Sequence, residues 1–461
     1  MKKNFFIFFI LNIFLVSANL YFFSLLAPKQ PIIIDNLPIK TSDTETSDTL
    51  PKKPARYLKD LTPIRESLLL DEVSFLEVHL SQMKTIFYKT GVLEKEVPIL
   101  IKGDSSGWGG TPAGLYELKS KNWLAFSSIS EVYMPYSLGF YGAYYIHGEP
   151  YYPGGRPVAS KFSNGCIRLL DPDAKTIYKL VKKGMPVLVI DKENDDYEYQ
   201  TTRPVQKEPE ISANNYLVAD LDSGFVFMER NPQAKAPIAS LTKLMTAIVV
   251  TENYDQRKSI LVQPWMLTAY GSTKGLGAGK KFRLTELLYP LLVESSNDAS
   301  EVLSYFLGRE KTIRLMNEKT KPILMEKTSF IDPSGLDAEN VSTAQDLFYL
   351  AKYILNNRIP LLKISRGERV TSFGKVHFDL KSLENKNIFF EHPDFIGGKT
   401  GLIAVSEYVG LFVFRFPLET NDDIEPERKI VIILLGSPTS DDLEKDAQNI
   451  LNWLKENYFS S

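Results

Sequence analysis

The sequence predicts a multidomain chain in which a mostly-β domain is followed by an α+β domain, behind an N-terminal transmembrane helix. Three observations carry this. A length of 461 residues with 44% hydrophobic side chains exceeds what one core organises and implies two or three folding units. Two polar stretches divide the chain, one rich in Pro, Thr, Ser and Asp before Phe75 and one around Glu193-Asn194-Asp195-Asp196. Strand-like apolar patterning runs from Phe75 to Ile190, whereas beyond residue 212 strand-like runs enclose segments with helical spacing.

The amino terminus indicates the compartment. Lys2 and Lys3 precede an uncharged apolar run from Phe5 to Ala27, broken only by Asn12, Ser17, Asn19 and Ser24. Roughly 20 such residues span a hydrocarbon core, whereas a cleavable signal has an apolar core of roughly 7–15. Residues 1–27 are therefore expected to anchor an extracytoplasmic protein to the cytoplasmic membrane, with the basic pair kept inside. A signal cleaved near Ala18, giving a secreted protein, is the competing reading. Residues 28–74 include Thr41-Ser42-Asp43-Thr44-Glu45-Thr46-Ser47-Asp48-Thr49, which cannot bury enough apolar surface to fold alone, and read as a flexible linker.

The mostly-β domain is placed at 75–191, closing on the strand-like Pro186-Val187-Leu188-Val189-Ile190, and a second linker at 192–211. The α+β domain at 212–461 opens with Tyr216 to Asp220 and Phe225 to Met228, joined by Asp222-Ser223-Gly224, a hairpin signature. Helical spacing follows at Leu241 to Val250 and Leu284 to Leu292. Strand-like runs at Tyr408 to Phe414 and Ile430 to Leu435 precede a last amphipathic helix, Leu443 to Tyr458. Strands at both ends predict one sheet completed by both termini.

Charged residues make up 24% with a formal net charge of −2, so no long-range field favours nucleic acid. The four histidines, His79, His147, His377 and His392, are scattered, and neither a metal nor a cofactor is expected.

An exported chain with one cysteine cannot staple itself, so Cys166 is either an inert core thiol or a reactive one. It lies in Ser163-Asn164-Gly165-Cys166-Ile167-Arg168, downstream of Tyr145-Ile146-His147-Gly148. An imidazole that accepts the thiol proton, and glycines that bring backbone N–H groups to a developing oxyanion, are what acyl transfer needs. The interval from His147 to Ser163 (163 − 147 = 16), with Thr111-Pro112-Ala113-Gly114, Met134-Pro135-Tyr136 and Phe140-Tyr141-Gly142, resembles the L,D-transpeptidase catalytic domain over about Phe75 to Asp191. The resemblance implies that Cys166 is the nucleophile, His147 its base, the Gly148 carbonyl an orienting acceptor, and the Gly165 and Cys166 N–H groups oxyanion donors. Ser163 and Asn164 are expected in the same substrate-binding and oxyanion set, Asn164 where many members carry histidine. Arg168 either holds a substrate carboxylate or braces the loop. His79, in the opening strand, reads as structural.

The last domain presents Ser240-Leu241-Thr242-Lys243, Ser295-Ser296-Asn297 and Lys399-Thr400-Gly401. Positions i and i+3 share a helix face, so Ser240 and Lys243 can bring hydroxyl and amine together, and a neutral lysine can take the serine proton. Each string alone is weak. Ser81-Gln82-Met83-Lys84 and Lys89-Thr90-Gly91 match the outer two, but lie too close together and read as strand and turn residues. Order and separation (295 − 240 = 55, 399 − 295 = 104), with Asp332-Pro333-Ser334-Gly335-Leu336-Asp337, resemble the D-alanyl-D-alanine carboxypeptidases, low-molecular-mass penicillin-binding proteins. That resemblance implies an acylated Ser240 with an oxyanion-binding N–H, Lys243 as base, Ser295 and Asn297 as proton relay and substrate holders, and Lys399, Thr400 and Gly401 as carboxylate anchor. Ile403 stands where relatives usually have threonine, which bears on carboxypeptidase against endopeptidase action.

Together the resemblances imply peptidoglycan stem peptides as substrates and β-lactams as inhibitors. The serine domain would trim a pentapeptide, and the cysteine domain would use the tetrapeptide as acyl donor. The alternatives are a D,D-endopeptidase or β-lactam-binding serine domain joined to an L,D-carboxypeptidase, and an inactive wall-binding protein. A serine β-lactamase with a deacylating glutamate needs a Glu-x-x-x-Asn loop, for which the sequence offers no convincing match.

Overall fold

A computed structural model describes residues 56–199, 204–267, 269, 275–370, 379–404, 407–418 and 427–459. The first domain rests on two sheets. One has five strands in the order Val92–Pro98, Lys84–Lys89, Phe75–His79, Pro186–Ile190 and Gly114–Glu117. The pair Phe75–His79 and Pro186–Ile190 is parallel, with Leu76 opposite Val187, and its neighbours are antiparallel. The other sheet has the order Ser120–Ser127, Val132–Tyr141, Tyr144–His147 and Ile167–Arg168. Its last pair is parallel, with Ile146 opposite Ile167 and His147 opposite Arg168. Leu76, Val78, Leu138, Ile146 and Ile167 fill one core with Ala174 and Ile177 of helix Asp171–Leu180. The sheet therefore carries the histidine and the cysteine loop to one edge.

The segment before Phe75 departs from the expectation of a linker reaching residue 74. Phe75, Ile86, Tyr88, Leu188 and Ile190 make an apolar outer face, on which helix Thr62–Leu70 lays Ile64, Leu68 and Leu69. Three apolar residues on one short helix are too faint a periodic signal to stand out beside the polar run upstream. Arg56 also pairs with Glu229, and Tyr57 bridges Phe225.

In the second domain five antiparallel strands run Val226–Arg230, Asn215–Asp220, Glu427–Ser437, Glu407–Pro417 and Phe395–Ile403. Both ends of the domain thus meet in one sheet. Alternation sorts its two faces. Leu217, Ala219, Leu411, Val431 and Ile433 pack on helices Thr242–Asn253, Leu284–Leu292 and Ala344–Asn357. Tyr216, Val218, Phe412, Ile432 and Leu434 pack on Leu443, Ala447 and Ile450 of helix Ser440–Leu454. The decoy strings fall where the first domain's strand Lys84–Lys89 meets its turns.

Residues 55–461 form one compact unit. The connection read as a second linker is docked over its described part. Arg428 reaches from the sheet to Asp195 at 2.8 and 3.0 Å and to the buried Asp220 at 2.9 Å, and Tyr199 also donates to Asp220 at 2.9 Å. Among the described residues no helix is long and apolar enough to cross a membrane. The run from Phe5 to Ala27, expected to be the membrane helix, lies outside them, as does His377. Arg428→Ala should lower unfolding free energy by about 3 kcal/mol in urea titration, because it strands the Asp220 carboxylate without its cation.

Candidate active sites

Strand Tyr144–His147 ends on the buried His147, whose Nδ1 lies 2.6 Å from Gly148 O. A proton on Nδ1 satisfies that carbonyl and leaves the Nε2 lone pair as the basic position. Burial, with Arg168 adding to it, pushes the imidazole down to about 4, so it is neutral at pH 7.

Cys166 sits between Gly165 and the short strand Ile167–Arg168, so the parallel pairing with Tyr144–His147 brings the thiol beside the histidine strand. Sγ–H points to Ala143 O at 3.7 Å and not to His147. Burial pushes the thiol up to about 11, against the pull of a backbone bond at Tyr145 and the Arg168 charge. The resting pair is therefore thiol and imidazole, not thiolate and imidazolium. Gly165 takes φ +106°, and a Cβ there would stand 2.2 Å from the Tyr144 ring. Only glycine fits.

The Gly165 N–H donates to Ser163 Oγ at 3.1 Å, and Ser163 Oγ in turn donates to Cys166 O, so Ser163 shapes the loop. Asn164 is exposed. Arg168 is buried; Nη1 donates to Ser160 O at 3.4 Å, and among the described residues its Nε has no partner. Such a guanidinium suits a carboxylate brought by a ligand. His79 stands apart, bonded to Glu193 at 3.1 Å and Ser81 at 3.3 Å.

In the second domain Ser240 lies in the turn Ala239–Leu241 that opens helix Thr242–Asn253, whose residues Thr242 to Glu252 are all buried. The Lys243 amine is 2.8 Å from Ser240 Oγ, 2.8 Å from Asn297 Oδ1 and 2.6 Å from Ser334 O. Burial lowers this amine to about 7, with Asp332 opposing. Three segments distant in sequence thus meet at one nitrogen. Ser295 is not among its partners, although its φ of +59° holds it in a strained conformation beside Ser296, which caps helix Asn297–Ser304. Ala239, at φ +45°, is strained as well. Strain of about 1–3 kcal/mol per residue at such points is a mark of functional sites.

Lys399, Thr400 and Gly401 lie on the edge strand Phe395–Ile403. Lys399 Nζ donates to Thr400 O at 2.6 Å, and burial followed by the Lys243 charge holds it well below the ordinary lysine range. Thr400 Oγ1 donates to Lys386 O at 2.7 Å. A Cβ on Gly401 would lie 2.7 Å from Ser240 N, so the strand closes on the Ser240 turn. Ile403 is half-buried at the end of this strand, opposite Glu407.

The part that sequence reasoning missed is the role of Asp332. Its carboxylate accepts from Ser334 N at 2.6 Å, Ser334 Oγ at 2.8 Å, Gly335 N at 2.6 Å, Asp337 N at 2.8 Å and Asn340 Nδ2 at 2.6 Å. This fixes the Ser334 carbonyl that holds Lys243. The signal was the Asp332-Pro333-Ser334-Gly335 string, an Asx-type turn whose target no spacing reveals.

Residues 201–409 match the family model of D-alanyl-D-alanine carboxypeptidase, and residues 74–189 match that of the L,D-transpeptidase catalytic domain. A D-alanyl-D-alanine endopeptidase of Haemophilus influenzae is 34% identical over 209 residues, 44% of this chain and 70% of that protein. The chain belongs to the D-alanyl-D-alanine carboxypeptidase family and carries an L,D-transpeptidase catalytic domain ahead of it. A D-alanyl-D-alanine carboxypeptidase of Mycobacterium tuberculosis is 29% identical over 197 residues, 42% of this chain and 67% of that protein. A crystal structure of a carboxypeptidase from that organism overlays with a TM-score of 0.46 at 25% identity, covering 56% of this chain and 95% of its own. The chain spans from about half to seven-tenths of the length of the curated relatives it matches. In this D-alanyl-D-alanine carboxypeptidase-family chain the three serine-domain motifs fall within the first match, and both decoys fall within the second.

Two pH dependences follow. Acylation of Ser240 by a fluorescent penicillin should rise with pH through about 7 as Lys243 loses its proton, and Lys243→Ala should slow it about 100- to 10,000-fold. Alkylation of Cys166 by iodoacetamide should be slow at pH 7 and keep climbing to pH 10 without a plateau, followed by mass spectrometry.

Proposed function

We propose that the chain remodels peptidoglycan with two acyl-transfer centres that work in series outside the cytoplasmic membrane. The observation that carries the reading is the Lys243 amine, buried, lowered to about 7 and in contact with Ser240 Oγ. Ser240 Oγ attacks the carbonyl of the penultimate D-alanine of a stem peptide while Lys243 takes its proton. The Ser240 N–H faces the oxyanion, and the Lys399 and Thr400 region receives the terminal carboxylate. Collapse expels D-alanine, with Lys243 returning a proton to the leaving amine, and water then frees the serine. β-Lactams would acylate the same hydroxyl.

The trimmed tetrapeptide suits the second centre. Cys166 Sγ attacks the L-centre carbonyl, His147 Nε2 receives the thiol proton, and the leaving D-alanine takes it. The acyl group then passes to the amine of a neighbouring stem. Arg168, buried beside Cys166 with Nε unpartnered among the described residues, suits the donor's terminal carboxylate. The endopeptidase name of the Haemophilus relative, together with Ile403, favours a second reading in which the serine centre also opens D,D-crosslinks.

Purified muropeptides, read by mass, test the sequence of events with the full chain. Ser240→Ala should fail to crosslink a pentapeptide donor and crosslink a tetrapeptide donor normally; Cys166→Ala should trim the pentapeptide and crosslink neither. Equal crosslinking of both donors by Ser240→Ala would remove the serial reading.

A further inference from the structure

Where the two domains meet, the Glu252 carboxylate at the end of helix Thr242–Asn253 is fully buried. It pairs with Lys319 Nζ at 3.0 Å and Arg358 Nη2 at 2.9 Å, and Tyr353 donates to it as well. All four residues belong to the serine domain. The cysteine domain covers this cluster with phenols. Lys319 Nζ donates to Tyr116 at 3.0 Å and stands 4.4 Å from the Tyr141 ring, and Arg358 Nη2 donates to Tyr144 at 2.9 Å. Asn253 Nδ2 adds a bond to Tyr141 at 3.2 Å.

Arg358 goes further into the neighbouring domain than charge balance requires. Its Nη1 donates to Gly110 O at 2.9 Å. Tyr144 and Gly110 stand against Gly165: a Cβ there would meet the Tyr144 ring at 2.2 Å and Gly110 O at 3.1 Å. Tyr144 also follows Ala143, whose carbonyl holds the Cys166 thiol, and opens the strand that ends on His147. One guanidinium thus bonds both walls of the cysteine loop.

We propose that Arg358, a residue of the serine domain, is a positioning residue for Cys166, so that the L,D-transpeptidase centre is completed by the domain that follows it. This rests on the reading of Cys166 as an acyl-transfer nucleophile. The guanidinium sets the spacing of Tyr144 and Gly110, which sets the Gly165 turn, which aims Sγ. Reacting groups displaced by an ångström lose about 100-fold.

The test uses the full chain with Arg358→Lys, which keeps a cation for Glu252 but cannot bond both walls, and Tyr144→Phe, which keeps the ring under Gly165 and removes only the acceptor. Penicillin acylation of Ser240 serves as the folding control and should be unchanged in both. Crosslinking of a tetrapeptide donor should lose about 10- to 100-fold in kcat with KM little changed. Iodoacetamide should react faster with Cys166, because a loosened loop exposes the thiol. Reactivity up and turnover down is a signature that loss of general stability does not give while Ser240 still acylates. If Arg358→Lys loses penicillin acylation, Tyr144→Phe decides. Wild-type alkylation rate and wild-type kcat in a variant that still binds penicillin would overturn the proposal. Should Cys166→Ala leave crosslinking untouched, the acyl-transfer reading fails, and the alkylation rates alone still decide whether Arg358 positions the thiol.

Discussion

The Glu252 carboxylate organises the junction of this protein. Taking a carboxylate and two cations out of water costs more than their attraction returns unless further hydrogen bonds meet the groups left over. Here Lys319 and Arg358 answer Glu252, burial is outweighed so that the acid stays ionised, and Tyr116, Tyr141, Tyr144 and the Gly110 carbonyl face the surplus positive charge, while Arg358 Nε is left without a partner among the described residues. An apolar junction could slide by a side chain's width. A charge cluster with directional partners has one register.

From that register both centres take their surroundings. Helix Thr242–Asn253 carries Lys243 at its start, next to the turn that holds Ser240, and Glu252 at its end, so an element of the serine centre is the one gripped at the junction. Strand Tyr144–His147 likewise begins at the junction and ends at the imidazole. The two centres also solve one problem in different ways. Each needs a neutral base beside a weak nucleophile, and burial supplies it in both, lowering Lys243 to about 7 and His147 to about 4. The lysine already touches its serine. The thiol hydrogen-bonds a carbonyl instead.

Much of the fold was legible because its signals are local. The hairpin around Asp222-Ser223-Gly224, helix Leu284–Leu292 and strand Pro186–Ile190 stand close to where apolar periodicity and turn residues put them. Helix Thr62–Leu70 was not legible, since its three core-facing residues matter only against a sheet face that forms elsewhere. The docking of 192–199 was hidden for the same reason: Asp195 looks like any surface acid until Arg428, more than two hundred residues later, arrives beside it.

The sequence by itself determined the chemical types and their order: a lone thiol after a His-Gly pair, then serine, lysine, asparagine and a Lys-Thr-Gly strand at separations that chance strings do not reproduce. The i, i+3 spacing even anticipated the contact of Ser240 with Lys243, although the serine sits in the turn before the helix and not on it. Only the tertiary structure decided that Ser334 O, and not Ser295, completes the lysine's contacts, that the thiol rests on Ala143, and that Arg358 of one domain reaches the walls of the other's active site. Those are contacts between segments far apart in the chain, set by how two cores pack, and packing leaves no period in a sequence to read.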